Sequence, residues 1–259
     1  MGYPDLEVAC DDHVGTVEIQ RPPNNFFDVD LITDLAAVFE ELDADDDCRA
    51  VVLCSQGKHF CAGNNFARTR SESEQRARAE GRNPLYSAAV RLFDAKKPVI
   101  AAVQGAAVGG GFGLAVMADF RVVCPEARFT ANFVKLGFHP GFGLTHTLPR
   151  IVGQQKANLM FLTGRRINGE TALEWGLADV LTTQDKLRAE AQALAAEIAE
   201  NAPLALKSVR ATTHDGLAAR VQAATDHENA EQARLSQTED HKEGIRAVAE
   251  RRAGNFVGR

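Results

Sequence analysis

The sequence predicts an α/β protein whose C-terminal part is entirely helical. Before Thr182, short apolar runs of strand length alternate with stretches in which apolar residues recur at helical spacing. From Thr182 onward, only helical patterns remain. Strands that alternate with helices are typical of an α/β architecture built from βα repeats.

The strands and the first helix can be assigned in order. Residues 14–19 alternate apolar and polar side chains in the way of a strand. Three compact apolar runs predict further strands at residues 50–54, 98–103 and 120–123. Asp28 is suited to cap a helix N-terminus. The apolar residues of the helix that follows are Leu31, Leu35, Phe39 and Leu42.

The C-terminal tail contains several predicted helices. The first carries an apolar stripe and ends before Pro203; the stripe consists of Leu187, Ala191, Leu194, Ala195 and Ile198. Further helices are predicted over residues 204–213, 218–235 and 239–252. We expect the tail to pack against the main domain or against a neighbouring subunit.

Residues 68–82 form a polar, charged segment with little apolar periodicity. Two interpretations remain open for this segment. It is either a mobile loop or exposed helix over a site, or simply a solvated face of the protein.

Composition and charge restrict the class of protein. The chain has 259 residues, of which 45% are hydrophobic and 25% charged, and this average composition excludes a disordered or fibrous protein. The net charge of −6 argues against a nucleic-acid partner, because phosphate binding requires clustered Lys and Arg. Five widely spaced cysteines form no CxxC pair, which predicts reduced thiols, no metal site and a cytoplasmic location. No signal peptide and no membrane span is expected.

Two glycine-bearing segments follow predicted strands. The first, residues 57–65, reads Gly-Lys-His-Phe-Cys-Ala-Gly-Asn-Asn. The second, residues 104–113, reads Gln-Gly-Ala-Ala-Val-Gly-Gly-Gly-Phe-Gly and opens a helix through Met117. Glycines in such turns let the backbone approach a ligand closely and direct N–H groups toward it. A purely structural role of the glycines is the alternative interpretation.

Common ligand motifs are absent from these segments. There is no GxxxxGKS or GxxxxGKT phosphate loop and no GxSxG serine elbow. GxGxxG is absent as well, because its third glycine would fall on Leu114 or Val116. What remains is two backbone turns that can each offer one N–H. Two convergent donors are what a developing thioester enolate requires, since its charge builds on one oxygen.

The order and spacing of several segments resemble those of the enoyl-CoA hydratase/isomerase (crotonase) family. The two signature segments are Phe60-Cys61-Ala62-Gly63 and the run at residues 105–111. Other similar segments are spread over nearly the whole chain: Arg21-Pro22 with Asn25, residues 172–179, residues 202–207, and Glu243-Gly244 with Glu250-Arg251-Arg252 and Phe256.

The resemblance implies a fold, a ligand and a set of site residues. It implies a spiral of ββα units at residues 1–190 and a helical trimerisation region at residues 191–259. It further implies an acyl-CoA thioester as substrate, no cofactor beyond the coenzyme A of that substrate, and a homotrimer or dimer of trimers. The oxyanion-hole donors map onto the backbone N–H groups of Asn64 and Gly110. Substrate and coenzyme contacts map onto Ala62, Gly63, Gly109, Gly113, Phe133 and Arg251. An exposed helix cation without a ligand is an open alternative for Arg251.

Both glutamates that typical hydratases of the family use are missing from this chain. Their positions are occupied by Gly113 and Phe133, and the carboxylate of some family isomerases is replaced by Gly141. Hydration requires a base for water and an acid at Cα, each worth roughly 10²–10⁴ in rate. If the backbone matches the family, Gly113→Glu with Phe133→Glu should raise hydration.

Other residues would therefore have to supply any acid–base chemistry. His139, before a Pro-Gly turn, is the first candidate, because a histidine titrates near neutral pH. Weaker candidates are His146, Lys135, Asn64 and Asn65. Two hypotheses follow: an enzyme with a non-standard acid–base set, or an acyl-CoA-binding carrier or regulator without turnover.

Overall fold

The computed structural model describes residues 2–65 and 71–259. Within these ranges the chain forms nine strands, eleven α-helices and one short 3-10 helix. The elements follow one another as β1 (Leu6–Asp11), β2 (Val14–Ile19), α1 (Val29–Ala44), β3 (Ala50–Ser55), α2 (Glu72–Ala79), α3 (Pro84–Leu92), β4 (Val99–Val103), β5 (Ala106–Val108), α4 (Gly110–Met117), β6 (Phe120–Val123), β7 (Arg128–Thr130), the 3-10 helix (Asn132–Leu136), α5 (Leu144–Val152), α6 (Gln154–Thr163), β8 (Arg166–Asn168), α7 (Gly169–Glu174), β9 (Val180–Leu181), α8 (Leu187–Ala199), α9 (Pro203–Thr213), α10 (Leu217–Leu235) and α11 (Glu239–Ala249). No helix in the described ranges has both the length and the apolar character needed to cross a bilayer.

The strands form two sheets. The main sheet has the order β1-β2-β3-β4-β6-β9, and all its neighbouring strands are parallel except β1 and β2. The small sheet has the order β5-β7-β8, with β5 parallel and β8 antiparallel to β7. The predicted α/β architecture is confirmed.

The four predicted strands (β2, β3, β4 and β6) and the first helix are confirmed, and five strands are added: β1, β5, β7, β8 and β9. The Asp28 carboxylate caps α1 by accepting a hydrogen bond from the Leu31 N–H at 3.0 Å. Strand β1 is not predicted by the sequence, because five of its six residues are exposed and show no alternation. Strand β5 is not predicted either, since its three residues lie inside the second glycine segment.

Strand β3 is buried on both faces of the main sheet. Val51 and Leu53 belong to the larger core, which includes α1, whereas Val52 and Cys54 belong to a second core beneath α8. The side chains that α8 contributes are Leu187, Ala191, Ala195 and Ala199. Burial on both faces explains why β3 is a continuous apolar run. The division predicted between residues 190 and 191 falls inside α8, and the division itself stays a prediction.

The last two helices pack against the main body of their own chain. Helix α10 contacts α3 and α5, and α11 contacts the 3-10 helix. His241 Nδ1 lies 2.8 Å from the carbonyl oxygen of Leu136. Helix α11 ends at Ala249 rather than at the predicted Arg252, because Arg251 has a φ of +55°, which a helix does not accommodate.

The polar segment at residues 68–82 is only partly described. Residues 68–70 lie outside the described ranges, and residues 72–79 form α2. Helix α2 buries Glu74 and exposes Glu72, Ser73 and Gln75. Residues 72–79 therefore form an exposed helix, and residues 80–82 follow it outside any helix. The position of the segment over a site stays a prediction.

Candidate active site

The two glycine segments lie side by side although the sequence separates them widely. Cys61 and Ala107 form a parallel bridge. The Cys61 N–H donates to the Ala106 carbonyl at 2.9 Å, and the Val108 N–H donates to the Cys61 carbonyl at 3.0 Å. Short strand pairing thus holds the two turns next to each other.

Glycine is required where these segments approach each other most closely. Gly63 has a φ of +91°, and a side chain there would begin 2.7 Å from the Val108 carbonyl oxygen. Gly111 lies directly against the Cys61 carbonyl, with no space for a Cβ atom. A larger residue at either position would separate the two turns.

The residues that follow the two turns keep their backbone N–H groups available. The Gly109 N–H donates to the Thr130 carbonyl at 2.9 Å, and Gly110 then begins α4, where an N–H has no intrahelical acceptor. Asn64 is bridged to Phe27, whose own N–H donates to the Gly63 carbonyl at 3.0 Å. Within residues 2–65 and 71–259, the backbone N–H groups of Asn64 and Gly110 have no acceptor. Their role as oxyanion donors stays a prediction.

Aromatic rings surround the start of α4. Phe27 and Phe142 have ring centroids 5.7 Å apart, and both rings lie against Gly110. The Phe133 ring lies against Gly109, 3.5 Å from the position of a Cβ there. An apolar environment of this kind strengthens the interaction of an N–H dipole with a developing negative charge.

The space for a carboxylate at position 113 is filled by another side chain. A Cβ at Gly113 would lie 2.7–2.9 Å from three atoms of Phe142. Phe142 is 1% exposed, and its backbone has a φ of +63°, which is uncommon for a residue with a side chain. Gly113→Glu with Phe133→Glu is therefore not expected to create a hydratase, because Phe142 blocks the first carboxylate.

Gly141 stands where some isomerases of the family carry a carboxylate, and neighbouring side chains fill the space beside it. Gly141 lies against the Tyr86 hydroxyl group, and the Gln232 Nε2 would be 2.6 Å from a Cβ at this position. Tyr86 donates to the Gln232 Oε1 at 2.8 Å. Gln232 in turn donates to the carbonyl oxygen of His139 at 2.9 Å.

His139 faces the C-terminal helices in this structure. Its ring makes an edge contact with the His227 ring, with centroids 5.7 Å apart, and its Nδ1 lies 2.8 Å from the Pro140 carbonyl oxygen. The His227 contact places the His139 ring against α10. A chemical role of His139 stays a prediction.

The structure also shows the surroundings of three weaker candidates for acid–base chemistry, His146, Lys135 and Asn65. The His146 pKa is lowered by burial and then by Arg150 and Arg220, and its Nε2 is buried without a hydrogen bond partner among the described residues. The Lys135 stem packs over Gly164. Asn65 lies beside Asn64 at the edge of the described range.

Two titratable groups next to the glycine turns are held in uncharged forms. Burial raises the pKa of the Cys61 thiol to about 12, so this thiol is neither a base nor a nucleophile at neutral pH. The His59 pKa is lowered by burial and by Lys58. His59 Nδ1 accepts a hydrogen bond from the Ala106 N–H at 3.1 Å, which adds a tie between the two segments.

A buried carboxylate that the sequence does not reveal supports the turn with Phe142. Glu228 of α10 is fully buried and accepts hydrogen bonds from the Gly143 N–H at 2.8 Å and from the Thr145 hydroxyl at 2.6 Å. Burial raises the pKa of Glu228. No signal in the polar sequence around Glu228 predicts its burial, which depends on the packing of α10 against α5.

Two further residues are predicted to contact the substrate or its coenzyme, Ala62 and Arg251. The Ala62 N–H donates to the Asn24 carbonyl at 2.9 Å, so Ala62 continues the first turn. Arg251 is exposed just beyond α11, the helix that packs on the 3-10 helix with Phe133. Coenzyme binding by either residue stays a prediction. Among the described residues, no group of three or more His, Cys, Asp or Glu side chains could hold a metal ion.

Comparison with known proteins assigns the chain to a family. Residues 10–259 match the family model described as enoyl-CoA hydratase/isomerase. A crotonyl-CoA hydratase of Syntrophomonas wolfei is 31% identical over 262 residues, which covers 100% of both chains. An (E)-benzylidenesuccinyl-CoA hydratase of Thauera aromatica is 33% identical over 257 residues, which covers 98% of both chains.

Solved structures agree with this assignment. An enoyl-CoA hydratase/isomerase from Pseudoalteromonas atlantica superimposes with a TM-score of 0.86 at 28% identity and covers 98% of this chain and 100% of its own. An enoyl-CoA hydratase from Mycobacterium avium subsp. paratuberculosis gives a TM-score of 0.83 at 27% identity, with coverage of 99% and 100%. The chain belongs to the enoyl-CoA hydratase/isomerase family, and the predicted crotonase-like fold is confirmed.

Proposed function

We propose that this protein binds an acyl-CoA thioester and stabilises its enolate between the backbone N–H groups of Asn64 and Gly110. The observation that carries the proposal is the pairing of Cys61 with Ala107, beside which neither N–H group has an acceptor among the residues that the structure describes. Each good donor is worth about 3 kcal/mol of transition-state stabilisation in sites of this kind. The relatives named as CoA hydratases support a CoA thioester as ligand.

The reaction we propose is of the hydratase or isomerase type, with an acid–base set that differs from the usual two glutamates. His139 is the side chain proposed to replace them. Ala62, Gly63, Gly109, Gly113 and Phe133 are proposed to line the acyl site, and Arg251 to meet the nucleotide end of the coenzyme. No cofactor beyond coenzyme A itself, a cytoplasmic location and a homotrimer or dimer of trimers complete the proposal.

A second candidate function is an acyl-CoA carrier or regulator without turnover. The observation that favours it is the Phe142 ring, which occupies the space of the first carboxylate at Gly113. Donors without acid–base groups polarise a thioester but do not complete hydration.

The test combines a binding assay and a turnover assay on crotonyl-CoA. Ligand at about 100 times its dissociation constant should add roughly 2.7 kcal/mol to the free energy of unfolding, so the melting temperature should rise with acetyl-, butyryl- and crotonyl-CoA. Hydration should be slow, by roughly 10²–10⁴ for each absent carboxylate. A melting temperature that none of these thioesters raises would contradict the proposed ligand.

The His139→Ala variant separates the two candidate functions. Loss of a slow but measurable hydration, with binding retained, supports an enzyme that uses His139. Binding with no hydration above the uncatalysed rate supports the carrier. Fast hydration that survives His139→Ala would show that another acid–base pair operates in this site.

A further inference from the structure

A cavity with a volume of about 600 Å³ lies beside the small sheet. Strands β7 and β8 both contribute to its lining, and Arg128 of β7 pairs with Ala106 of the second glycine segment. The cavity is lined by three arginines, by two polar residues and by an indole ring: Arg128, Arg165, Arg166, Asn168, Thr171 and Trp175. The proposed acyl-CoA chemistry uses none of these residues.

The three arginines have no carboxylate partner in the part of the chain that the structure describes. Within the described ranges, none of them forms an ion pair. Arg128 Nη1 donates to the Pro125 and Ala127 carbonyls, both at 2.7 Å, which fixes this side chain at the cavity. On a chain with a net charge of −6, three such cations around one cavity favour an anionic ligand.

The remaining contacts of these side chains are few. Arg165 Nε donates to the Thr163 hydroxyl at 3.3 Å, and Arg166 makes no side-chain hydrogen bond to a described residue. Among the described residues, one carboxylate is bonded to a polar side chain of the cavity wall: Glu170 accepts from Asn168 Nδ2 at 3.0 Å. A single carboxylate beside three guanidinium groups leaves the cavity with a positive balance.

The aromatic wall of the cavity is the only tryptophan of the chain. Trp175 is half-buried, and the Lys156 Nζ lies 5.7 Å from the centroid of its ring. A planar indole offers a stacking surface for a nucleobase. Lys156 therefore places a further cation beside the indole wall of the cavity.

We propose that this cavity binds a purine nucleoside that carries two or more phosphate groups. The planar guanidinium groups of Arg128, Arg165 and Arg166 match phosphate oxygens in bidentate fashion, and the base stacks on Trp175. The volume of the cavity lies in the range of small-molecule sites. A free nucleotide and the nucleotide end of a coenzyme A share this chemistry.

The fluorescence of Trp175 tests the proposal directly, because no other tryptophan contributes to the signal. We expect ADP to quench it saturably, and inorganic pyrophosphate to displace ADP. Arg165→Ala and Arg166→Ala should each weaken ADP binding about tenfold, since each removes a charge-assisted contact. The matched control is Arg234→Ala on α10, where the same charge is lost from an arginine paired with Glu231. It should leave ADP affinity unchanged.

Titration with coenzyme A distinguishes the two sources of the ligand. Quenching by coenzyme A that ADP reverses supports the cavity as a site for the coenzyme's nucleotide end, and quenching by ADP alone supports a free nucleotide. Arg165 and Arg166 are exposed, so a melt should show that their variants are folded. Added salt should weaken ADP binding to the wild type in parallel. No saturable quenching by either ligand, or an ADP affinity that is unchanged in both arginine variants, overturns the proposal.

Discussion

The backbone N–H of Gly110 is one of the two hydrogen-bond donors that we propose for the thioester enolate. Any side chain at position 110 meets the Phe27 ring, so Gly110→Ala and Gly110→Pro share a steric cost. They differ in the N–H, which only proline removes, and proline is well tolerated at the first position of a helix.

We therefore expect Gly110→Pro to lower crotonyl-CoA turnover more than Gly110→Ala does. The additional loss should be about 3 kcal/mol in transition-state stabilisation, the value of one oxyanion donor. The hydration rate and the ligand affinity of both variants are measured together with their melting temperatures. Equal losses in the two variants would assign the effect to the Phe27 contact and not to the N–H.

Gly113 and Phe142 are expected to be energetically coupled. Gly113→Glu alone should destabilise the protein by roughly 1–3 kcal/mol or more, because the Phe142 ring fills the space. In a Phe142→Ala background, the same substitution should cost less, with a coupling free energy of roughly 0.5–3 kcal/mol. Urea unfolding of the wild type, the two single variants and the double variant measures this coupling. Additive effects would mean that Phe142 does not block position 113.

Helix α9 is attached to the main sheet through a buried carboxylate, that of Asp119. Asp119 accepts hydrogen bonds from the Arg210 Nε at 3.0 Å, from the Val99 N–H at 2.7 Å and from the His214 Nε2 at 2.9 Å. Burial opposes the ionisation of Asp119, but the bond from His214 and the charge of Arg210 hold its pKa below the usual value. This residue has a structural role, away from the glycine turns.

Asp119→Asn should destabilise the protein by roughly 3–5 kcal/mol at neutral pH, because Arg210 then stays buried without its partner. A depressed carboxyl pKa contributes stability that is fully present above the ordinary value of 3.8 and is lost as the pH falls through the lower folded value. The difference in unfolding free energy between wild type and variant should thus shrink as the pH falls below about 4.

Urea unfolding at a series of pH values measures this difference. Asparagine has almost the same shape as aspartate, so packing changes little between the two proteins. A difference that stays undiminished in strong acid would show that the Asp119 charge is not the stabilising feature.

Helix α9 presents exposed apolar side chains on the outer surface of the protein. Leu204 is 79% exposed and Val209 is 62% exposed, while Arg210 is the buried residue of this helix. If the protein is a homotrimer as proposed, this face is a candidate contact between subunits, because apolar side chains so exposed are typical of interaction surfaces.

Leu204→Glu combined with Val209→Glu should convert the proposed trimer to monomers, since buried charges without partners oppose association. Light scattering coupled to size-exclusion chromatography measures the mass. Val8→Glu is a suitable control, because Val8 is also exposed but lies on β1. A trimer that survives the double substitution would exclude this face, and a monomeric wild type would contradict the proposed assembly.

Much of the fold follows from local patterns. Strand β3 is predicted correctly because a strand buried on both faces is a continuous apolar run. Helix α1 is predicted correctly because its one buried face gives apolar residues at helical spacing. Strand β1 has no such apolar pattern, because five of its six side chains are exposed. Only its backbone pairing with β2 defines it as a strand.

The α/β class, the two glycine segments and the absence of glutamates at positions 113 and 133 can be read from the amino-acid sequence. The surroundings of those positions depend on tertiary packing, which places the Phe142 ring beside Gly113 and the buried Glu228 against the next turn. Periodicity and turn chemistry are local properties of a chain, so they can be read in order. The burial of a polar residue such as Glu228 depends instead on which distant helix packs against it, and here α10 packs against α5.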